Sequence, residues 1–268
     1  MASALVTDIE SRVDRLEIAF NRDGYDKFGT SKKHLVVFFS ALGWLYRTYF
    51  RIKVTGIEHV PKRGRAMLVG NHSGGYAVDG AMVLASMLLD MEPPRLAHGM
   101  AEKFLNALPV ASLWTSRVGQ LTGLPEHATQ LLEDDRLLMV FPEGARGTAK
   151  LYKERYTLVG FGQGFVRLAL QTRTPIVPLA FIGGGDALPT VMNLEKVGKL
   201  LGVPYIPLTP YLLPLPLPRP CEIIYGEPMH LAGVGNEDDE HIEKLVAQVK
   251  ERVHALMDEG RRRRGELP

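Results

Sequence analysis

The 268-residue sequence predicts an α/β protein with a mixed, largely parallel central sheet flanked by helices and an N-terminal helical appendage. From residue 51 onward, short β-prone runs alternate with helix-like runs, as in sheets whose crossovers are helices. Before residue 51, apolar residues instead recur at helical spacing. No Pro/Ser-rich linker divides the chain. We therefore expect helices at 1–50, one domain at 51–260 and a basic tail at 261–268.

The first 50 residues are predicted to form two amphipathic helices, at 6–20 and 34–50. The second has an aromatic-rich apolar body between basic residues, which is how a membrane-surface helix is built. Its apolar run at 35–46 falls well short of the roughly 20 residues that a spanning helix needs. We expect its aromatic side chains to lie at the membrane interface, the alternative being the protein core: Trp44, Tyr46, Tyr49 and Phe50.

The remaining elements follow from local patterns. Strands are predicted at residues 52–57, 66–70, 95–99, 137–141, 175–182 and 221–225. Helices are predicted at 79–91, 101–116 in two pieces, 126–134, 161–173, 193–201 and 239–258. The prolines at 206–220 exclude a regular helix or a central strand there. This segment is expected to run extended over the surface and, with Tyr211 and several leucines, to offer a second membrane contact.

Composition excludes several classes of protein. The formal net charge of +2 gives no case for nucleic-acid binding. Cys221 is the only cysteine, which excludes an internal disulfide and a CxxC-type zinc cluster. The N-terminus carries acidic residues where a signal peptide would be basic and then apolar, so export by a cleaved signal is not expected. We predict a cytoplasmic protein associated peripherally with the inner face of the membrane.

The first segment with chemical potential is GNHSGGYAVDGAM, where a predicted strand ends at Asn71 and His72. In open α/β sheets, functional groups gather at the carboxyl ends of strands. A histidine with a carboxylate partner is the minimal general-base unit, because the carboxylate fixes the tautomer and stabilises the imidazolium. Asp79, which opens the following helix, is the candidate partner. A histidine near an aspartate is also a common structural pair, so this segment alone is a modest signal.

The second segment is LLMVFPEGARGTAK, a hydrophobic strand that runs directly into a turn. One interpretation is a tight turn with Glu143 and Arg146 as solvated charges. The other is that Gly144 lets the backbone approach a ligand while the Arg146 guanidinium binds an anion such as phosphate.

These motifs occur in order, and a PIVPL strand follows about thirty residues later. Over roughly residues 50–230 the chain therefore resembles the glycerophospholipid acyltransferase superfamily, whose members carry NHxxxxD, FPEGTR and PIVPV-type motifs. The segment FGQGFVRLAL before PIVPL and the later GEPM turn resemble the branch that includes monoacylglycerol and diacylglycerol acyltransferases.

The resemblance implies an O-acyltransferase that moves a fatty acyl group from acyl-CoA or acyl carrier protein to a glycerolipid hydroxyl. His72 would be the base and Asp79 its partner, with no cofactor, no metal and no covalent acyl-enzyme. A membrane lipid acceptor and the membrane surface would be its partners. The acceptor-binding positions implied for this chain are Asn71, Ser73, Arg117, Glu143, Gly144 and Arg146. Ala145 stands where the family has threonine.

The sequence departs from the family at the catalytic pair, since six residues instead of four separate His72 from Asp79. In a continuous helix, seven positions correspond to about 10 Å of rise, which is too far for a hydrogen bond. The residues Ser73-Gly74-Gly75 are typical of a loop that folds back, because glycine tolerates positive φ. We therefore hypothesise that this loop brings Asp79 to His72.

Other functions stay open at this point. The acceptor is either a lysophospholipid, which the two arginines favour, or a neutral mono- or diacylglycerol, which the subfamily resemblance favours. A non-catalytic lipid-binding module with the same fold is a further alternative. The basic residues 261–264 either contact anionic lipid or form a solvated end. Nucleophilic attack by Ser73 and a metal site at His72, Asp79 and Glu143 are disfavoured by their spacing.

Overall fold

A mixed sheet lies at the centre of the computed structural model, which describes residues 2–75, 77–101, 114–213 and 215–268. Within these residues, seven strands form the main sheet and two more form a small separate sheet. The main-sheet strands are β1 Lys53–Thr55, β2 Ala66–Gly70, β3 Ala97–Ala101, β4 Leu121–Thr122, β5 Leu137–Val140, β6 Ile176–Ile182 and β9 Glu222–Tyr225. The small sheet pairs β7 Met192–Leu194 with β8 Ile206–Leu208.

The strand order in the main sheet is β1-β9-β6-β2-β5-β3-β4. Neighbours from β6 to β4 are parallel, whereas β9 runs antiparallel to β6 and carries β1 parallel to itself. The predicted mixed, largely parallel sheet is confirmed. Because β6, β2 and β5 are adjacent and parallel, the loops that follow them meet at one edge, and the two chemical motifs lie in two of those loops.

Helices cover both faces of the sheet. Their bounds are α1 Ala2–Asp14, α2 Lys32–Trp44, α3 Val78–Leu89, α4 Pro125–Glu133, α5 Ala145–Thr148, α6 Gly164–Gln171, α7 Gly184–Ala187, α8 Glu195–Leu200 and α9 Asp239–Arg263. Side chains alternate along β2, so Leu68 joins the core under α1–α3 while Met67 and Val69 join the core under α4, α6 and α9.

The N-terminal helices belong to the hydrophobic core. Leu35 and Phe39 of α2 are almost fully buried in the cluster that includes α3 and the sheet. A π-helical turn at Leu45–Tyr49 follows α2. Tyr46 and Phe50, which we expected at a membrane interface, are 2% and 3% exposed and pack in this core. Of the interfacial aromatics predicted in this region, Trp44 is the exposed one, at 51%.

Several predicted boundaries shift in the structure. The helix predicted at 193–201 begins as strand β7 and becomes helical at Glu195. Residues 206–208 of the proline-rich segment form strand β8, because an edge strand of a two-stranded sheet tolerates proline. Most of the two-piece helix predicted at 101–116 lies outside the described residues. Helix α9 continues through Arg263, whose guanidinium pairs with Glu222. Residues 261–263 of the predicted basic tail therefore belong to this helix.

In the described ranges, no helix combines the length and the apolar character needed to cross a bilayer.

We expect Phe39→Ala to lower the free energy of unfolding by about 3–5 kcal/mol, because it leaves a cavity between α2 and the main core. Val37→Ala, on the same helix but 53% exposed, is the matched control and should change it by less than about 0.5 kcal/mol. Urea unfolding followed by circular dichroism measures both. Equal effects would show that α2 is not part of the cooperative core.

Candidate active site

The loop after β2 begins with a buried asparagine. Asn71 Nδ2 donates to the Phe181 carbonyl at 3.0 Å, and the Phe181 N–H donates to Asn71 Oδ1 at 2.7 Å. The side chain is fully buried. Both polar groups of this amide therefore hold the loop to β6. The buried amide positions the loop in this way, and the substrate contact expected for Asn71 stays a prediction.

The chain then reverses direction through residues with positive φ. Gly74, Gly75 and Ala77 have φ values of +85°, +70° and +54°. Helix α3 begins at Val78, and the described residues between His72 and that helix are not helical. The predicted fold-back is present, and it depends on glycine because residues with a Cβ rarely adopt this conformation.

The Asp79 carboxylate is fully buried in the first turn of α3. Its Oδ2 accepts hydrogen bonds from His72 Nδ1 at 2.8 Å and from the Ser73 N–H at 2.6 Å. Its Oδ1 accepts from the Gly80 N–H at 2.7 Å. The N-terminus of α3 also favours the negative charge. Because an ionised carboxylate only accepts hydrogen bonds, His72 Nδ1 carries the hydrogen and Nε2 keeps a free lone pair.

The His72 ring is also held by an aromatic neighbour. It stacks on Phe141, with ring centroids 4.3 Å apart and planes 8° from parallel. The His72 side chain is 12% exposed, so one edge of the ring reaches solvent. We did not assign Phe141 a role from the sequence, although it is the first residue of FPEGAR. The sequence signal for its role is that Phe141 directly follows β5, the strand that pairs with β2, and His72 follows β2.

The sheet register brings the two motifs together. Strands β2 and β5 are parallel neighbours with Val69 opposite Val140. Three residues beyond each of these positions stand His72 and Glu143. The His72 N–H donates to Glu143 Oε1 at 2.8 Å. Motifs some seventy residues apart in sequence are therefore joined by a direct hydrogen bond.

Glu143 is part of a buried ion pair. Lys150 Nζ lies 3.1 and 3.0 Å from the two carboxylate oxygens and also donates to the Thr157 carbonyl at 2.9 Å. Glu143 Oε2 accepts in addition from the Val159 N–H at 2.8 Å. Both charged side chains are almost completely buried. These partners give Glu143 a positioning role, and the acceptor contact expected for it stays a prediction. The sequence around Lys150 has the pattern of a solvated lysine and offers no sign of this buried ion pair.

The turn after Glu143 carries the exposed cation of the site. Gly144 has φ +57° and leads into α5. A Cβ at Gly147 would lie 2.6 Å from His72 Cβ, so glycine is needed for α5 to approach the histidine this closely. Arg146, on the same short helix, is exposed and donates through Nη2 to the Gly160 carbonyl at 2.9 Å. Its remaining N–H groups are in reach of a ligand at the surface.

Two predicted residues have other surroundings. Ser73 is buried, and its Oγ occupies the space that a Cβ at Gly184 would need. The Arg117 guanidinium lies 4.8 Å from the ring centroid of Tyr25 and donates to the Gly29 carbonyl at 3.3 Å. These contacts tie Arg117 to the loop before α2. A substrate contact for Ser73 or Arg117 stays a prediction.

Comparison with known proteins gives three kinds of match. Residues 51–182 match the model of the acyltransferase family. The fold is similar to the crystal structure of the 1-acyl-sn-glycerophosphate (LPA) acyltransferase PlsC from Thermotoga maritima. The TM-score is 0.57 at 16% identity, covering 96% of this chain and 80% of that one. This match shows the fold.

Two relatives are similar in sequence over part of their length. An uncharacterized protein of Mycobacterium tuberculosis is 33% identical over 227 residues, covering 81% of this chain. The chain spans 63% of the length of that relative. A human protein named "DGAT1/2-independent enzyme synthesizing storage lipids" is 28% identical over 128 residues, covering 47% of this chain and 38% of the human protein.

Lys150→Met should lower the free energy of unfolding by about 3–5 kcal/mol, because it leaves the Glu143 charge buried without its partner. Lys153→Met is the matched control in the same segment, where the side chain is exposed, and should cost less than about 0.5 kcal/mol. Urea unfolding of both variants measures the difference. If Lys150→Met unfolded like its control, the buried pair would not stabilise the site.

Proposed function

We propose that the protein transfers a fatty acyl group from an acyl thioester to a glycerolipid hydroxyl, starting from the premise that residues 51–182 match the model of the acyltransferase family. The observation that carries the proposal is the hydrogen bond from His72 to the buried Asp79. A module that only binds lipid has no need of a base whose tautomer is fixed in this way. The non-catalytic alternative is therefore the less supported one.

In the proposed mechanism, His72 Nε2 removes the proton from the acceptor hydroxyl. The hydroxyl oxygen attacks the thioester carbonyl, and the carbon–sulfur bond breaks as the carbonyl reforms. The imidazolium then returns its proton to the departing thiolate. Asp79 stabilises the imidazolium between these steps and keeps the ring oriented. Acyl-CoA and acyl carrier protein both fit the role of donor, and the reaction balances without a cofactor.

The acceptor class depends on Arg146. An exposed guanidinium on the helix packed against His72 is suited to an anionic head group, because its planar N–H groups bind phosphate in a bidentate manner. This favours a lysophospholipid. The alternative is a neutral mono- or diacylglycerol, which the name of the human relative favours. We propose a lysophospholipid as the acceptor, and the assay with both acceptor classes can reveal an acylglycerol instead.

We also propose that the protein acts at the inner face of the membrane, as a peripheral protein of the cytoplasm. A glycerolipid acceptor with long acyl chains lies in a bilayer, so the enzyme has to reach it there. Trp44 is half exposed, and Leu212, Leu213 and Leu215 of the proline-rich segment are more than half exposed. Amphipathic surfaces of this kind are suited to the membrane interface.

His72→Ala should lower kcat/KM for acyl transfer by a factor of about 10²–10⁴, the range that a general base contributes. Asp79→Asn should also lower kcat/KM, because an amide cannot stabilise the imidazolium. His254→Ala, at a 53% exposed histidine on α9, is the matched control. Labelled acyl-CoA with a panel of lysophospholipids and acylglycerols gives the rates. Full activity of a folded His72→Ala variant would contradict the mechanism.

Arg146→Gln should raise KM for a phosphate-bearing acceptor by about ten- to a hundredfold, since it removes a charged hydrogen bond worth about 1.5–3 kcal/mol. KM for a monoacylglycerol should be nearly unchanged. Arg252→Gln, at an exposed arginine on α9, is the control for the loss of a surface charge. An unchanged KM for every acceptor would remove Arg146 from acceptor binding.

A further inference from the structure

One segment beside the candidate active site lies outside the main sheet. It comprises β7, α8 and β8, which we call the flap, residues 190–208. Strands β7 and β8 pair with each other in antiparallel fashion and form their own two-stranded sheet. The flap therefore stands on the domain and does not extend its central sheet.

The base of the flap contacts both loops of the candidate site. Asn193 Nδ2 donates to the Ala149 carbonyl at 2.6 Å, and the Tyr205 hydroxyl donates to Thr148 Oγ1 at 2.6 Å. These contacts bind it to the end of α5. On the other side, Pro207 Cγ lies 3.9 Å from where a Cβ of Gly75 would stand. The base of the flap is thus in contact with the two chain segments that carry His72 and Arg146.

The outer surface of the flap is unusually apolar. Leu200 is 85% exposed and Leu201 is 60% exposed. Val191, Met192 and Val197 are each exposed by 45% to 49%. Of the fourteen large hydrophobic side chains exposed in the described part of the chain, five lie in the flap and three in the segment that follows it, at 212–215. Scattered apolar residues are normal at a protein surface, but a cluster marks a site of interaction.

The orientation of α8 explains this exposure. Gly198 faces inward, since a Cβ there would stand 2.4 Å from Tyr205 Cα. At 3.6 residues per turn, Leu200 points almost directly away from Gly198 and therefore away from the protein. Lys196 and Lys199 are exposed on the same short helix, with Glu195 as its single acidic residue. Apolar side chains flanked by lysines complement a surface of acyl chains beneath anionic head groups.

We propose that the flap is a membrane-contact element that places Leu200 and Leu201 among the lipids of an anionic phospholipid surface. The lysines of α8 contact the head groups, and the His72 loop faces the bilayer below the flap. This inference rests on the proposed function, because a glycerolipid acceptor has to enter from that bilayer. A second copy of the chain is the competing occupant of the same apolar surface.

Site-specific labelling tests the proposal in the full chain. Cys221 is 3% exposed, and burial raises the pKa of its thiol to about 12, so it does not compete for a thiol-reactive dye. Leu200→Cys is labelled with the environment-sensitive fluorophore NBD. Val234→Cys, at a 66% exposed valine beside the C-terminal end of α6, is the matched control. Vesicles are either pure phosphatidylcholine or contain phosphatidylglycerol.

We expect a blue shift and a rise in emission at position 200 on addition of vesicles, larger with the anionic lipid, and no change at position 234. A label at position 200 that stays in water while the protein binds vesicles would overturn the proposal. So would a shift that depends on protein concentration without vesicles, which would identify a second copy as the occupant.

A second variant separates this inference from the proposed function. Leu200→Asp with Leu201→Asp should weaken vesicle binding at least about tenfold, because two apolar contacts are replaced by charges. The ratio of activity on vesicle-borne acceptor to activity on detergent-dispersed acceptor should fall similarly, whereas Val234→Asp should leave both unchanged. His72→Ala should keep vesicle binding and lose activity. If the flap variant bound normally, the flap proposal would fail while the catalytic one stood.

Discussion

The buried Glu143 carboxylate is the contact on which the site depends. It accepts hydrogen bonds from the His72 backbone, from Val159 and from the Lys150 ammonium group, and so joins the loop after β2, the loop after β5 and the segment that follows α5. A charge removed from water is stable only when each of its lone pairs is satisfied in good geometry. The three chain segments are therefore constrained together, and the histidine backbone is fixed before any substrate arrives.

A second buried carboxylate orients the reacting ring. Asp79 accepts the Nδ1 hydrogen of His72, while Phe141 packs flat against the imidazole. Polar groups inside the loops thus hold one another, while the His72 side chain stays partly exposed and Arg146 is exposed. This division suits a reaction in which one base and one anion-binding group meet a ligand from outside. A substitution that keeps the charge of a buried group but moves its polar atoms would still disrupt the site, because each buried group has a specific partner.

Much of the fold could be predicted from the sequence, because strand hydrophobicity and helical periodicity are local properties. The two motifs and the fold-back at Gly74 and Gly75 were predictable for the same reason. The roles of Asn71 and Glu143 were not, since a polar residue after a strand looks alike whether it faces a ligand or a buried partner. The partner of Asn71, the Phe181 backbone, comes from a distant part of the chain. The partner of Glu143, Lys150, is close in sequence but has the local pattern of a solvated lysine. The prediction that Tyr46 and Phe50 lie at a membrane interface is wrong, because an aromatic run has the same sequence pattern in a protein core and at a membrane.

The loop between His72 and Asp79 affects how related sequences can be recognised. The hydrogen bond closes a ring of chain whose two ends are fixed by β2 and α3, and Gly74 and Gly75 within it pack closely against Gly184 and Leu188. The two side chains meet because the chain reverses direction between them, and glycine residues permit that reversal. A search pattern with a fixed histidine-to-aspartate interval would overlook chains of this kind. The pair in such chains is recognised by the short distance between His72 Nδ1 and Asp79 Oδ2, and not by the number of residues between them.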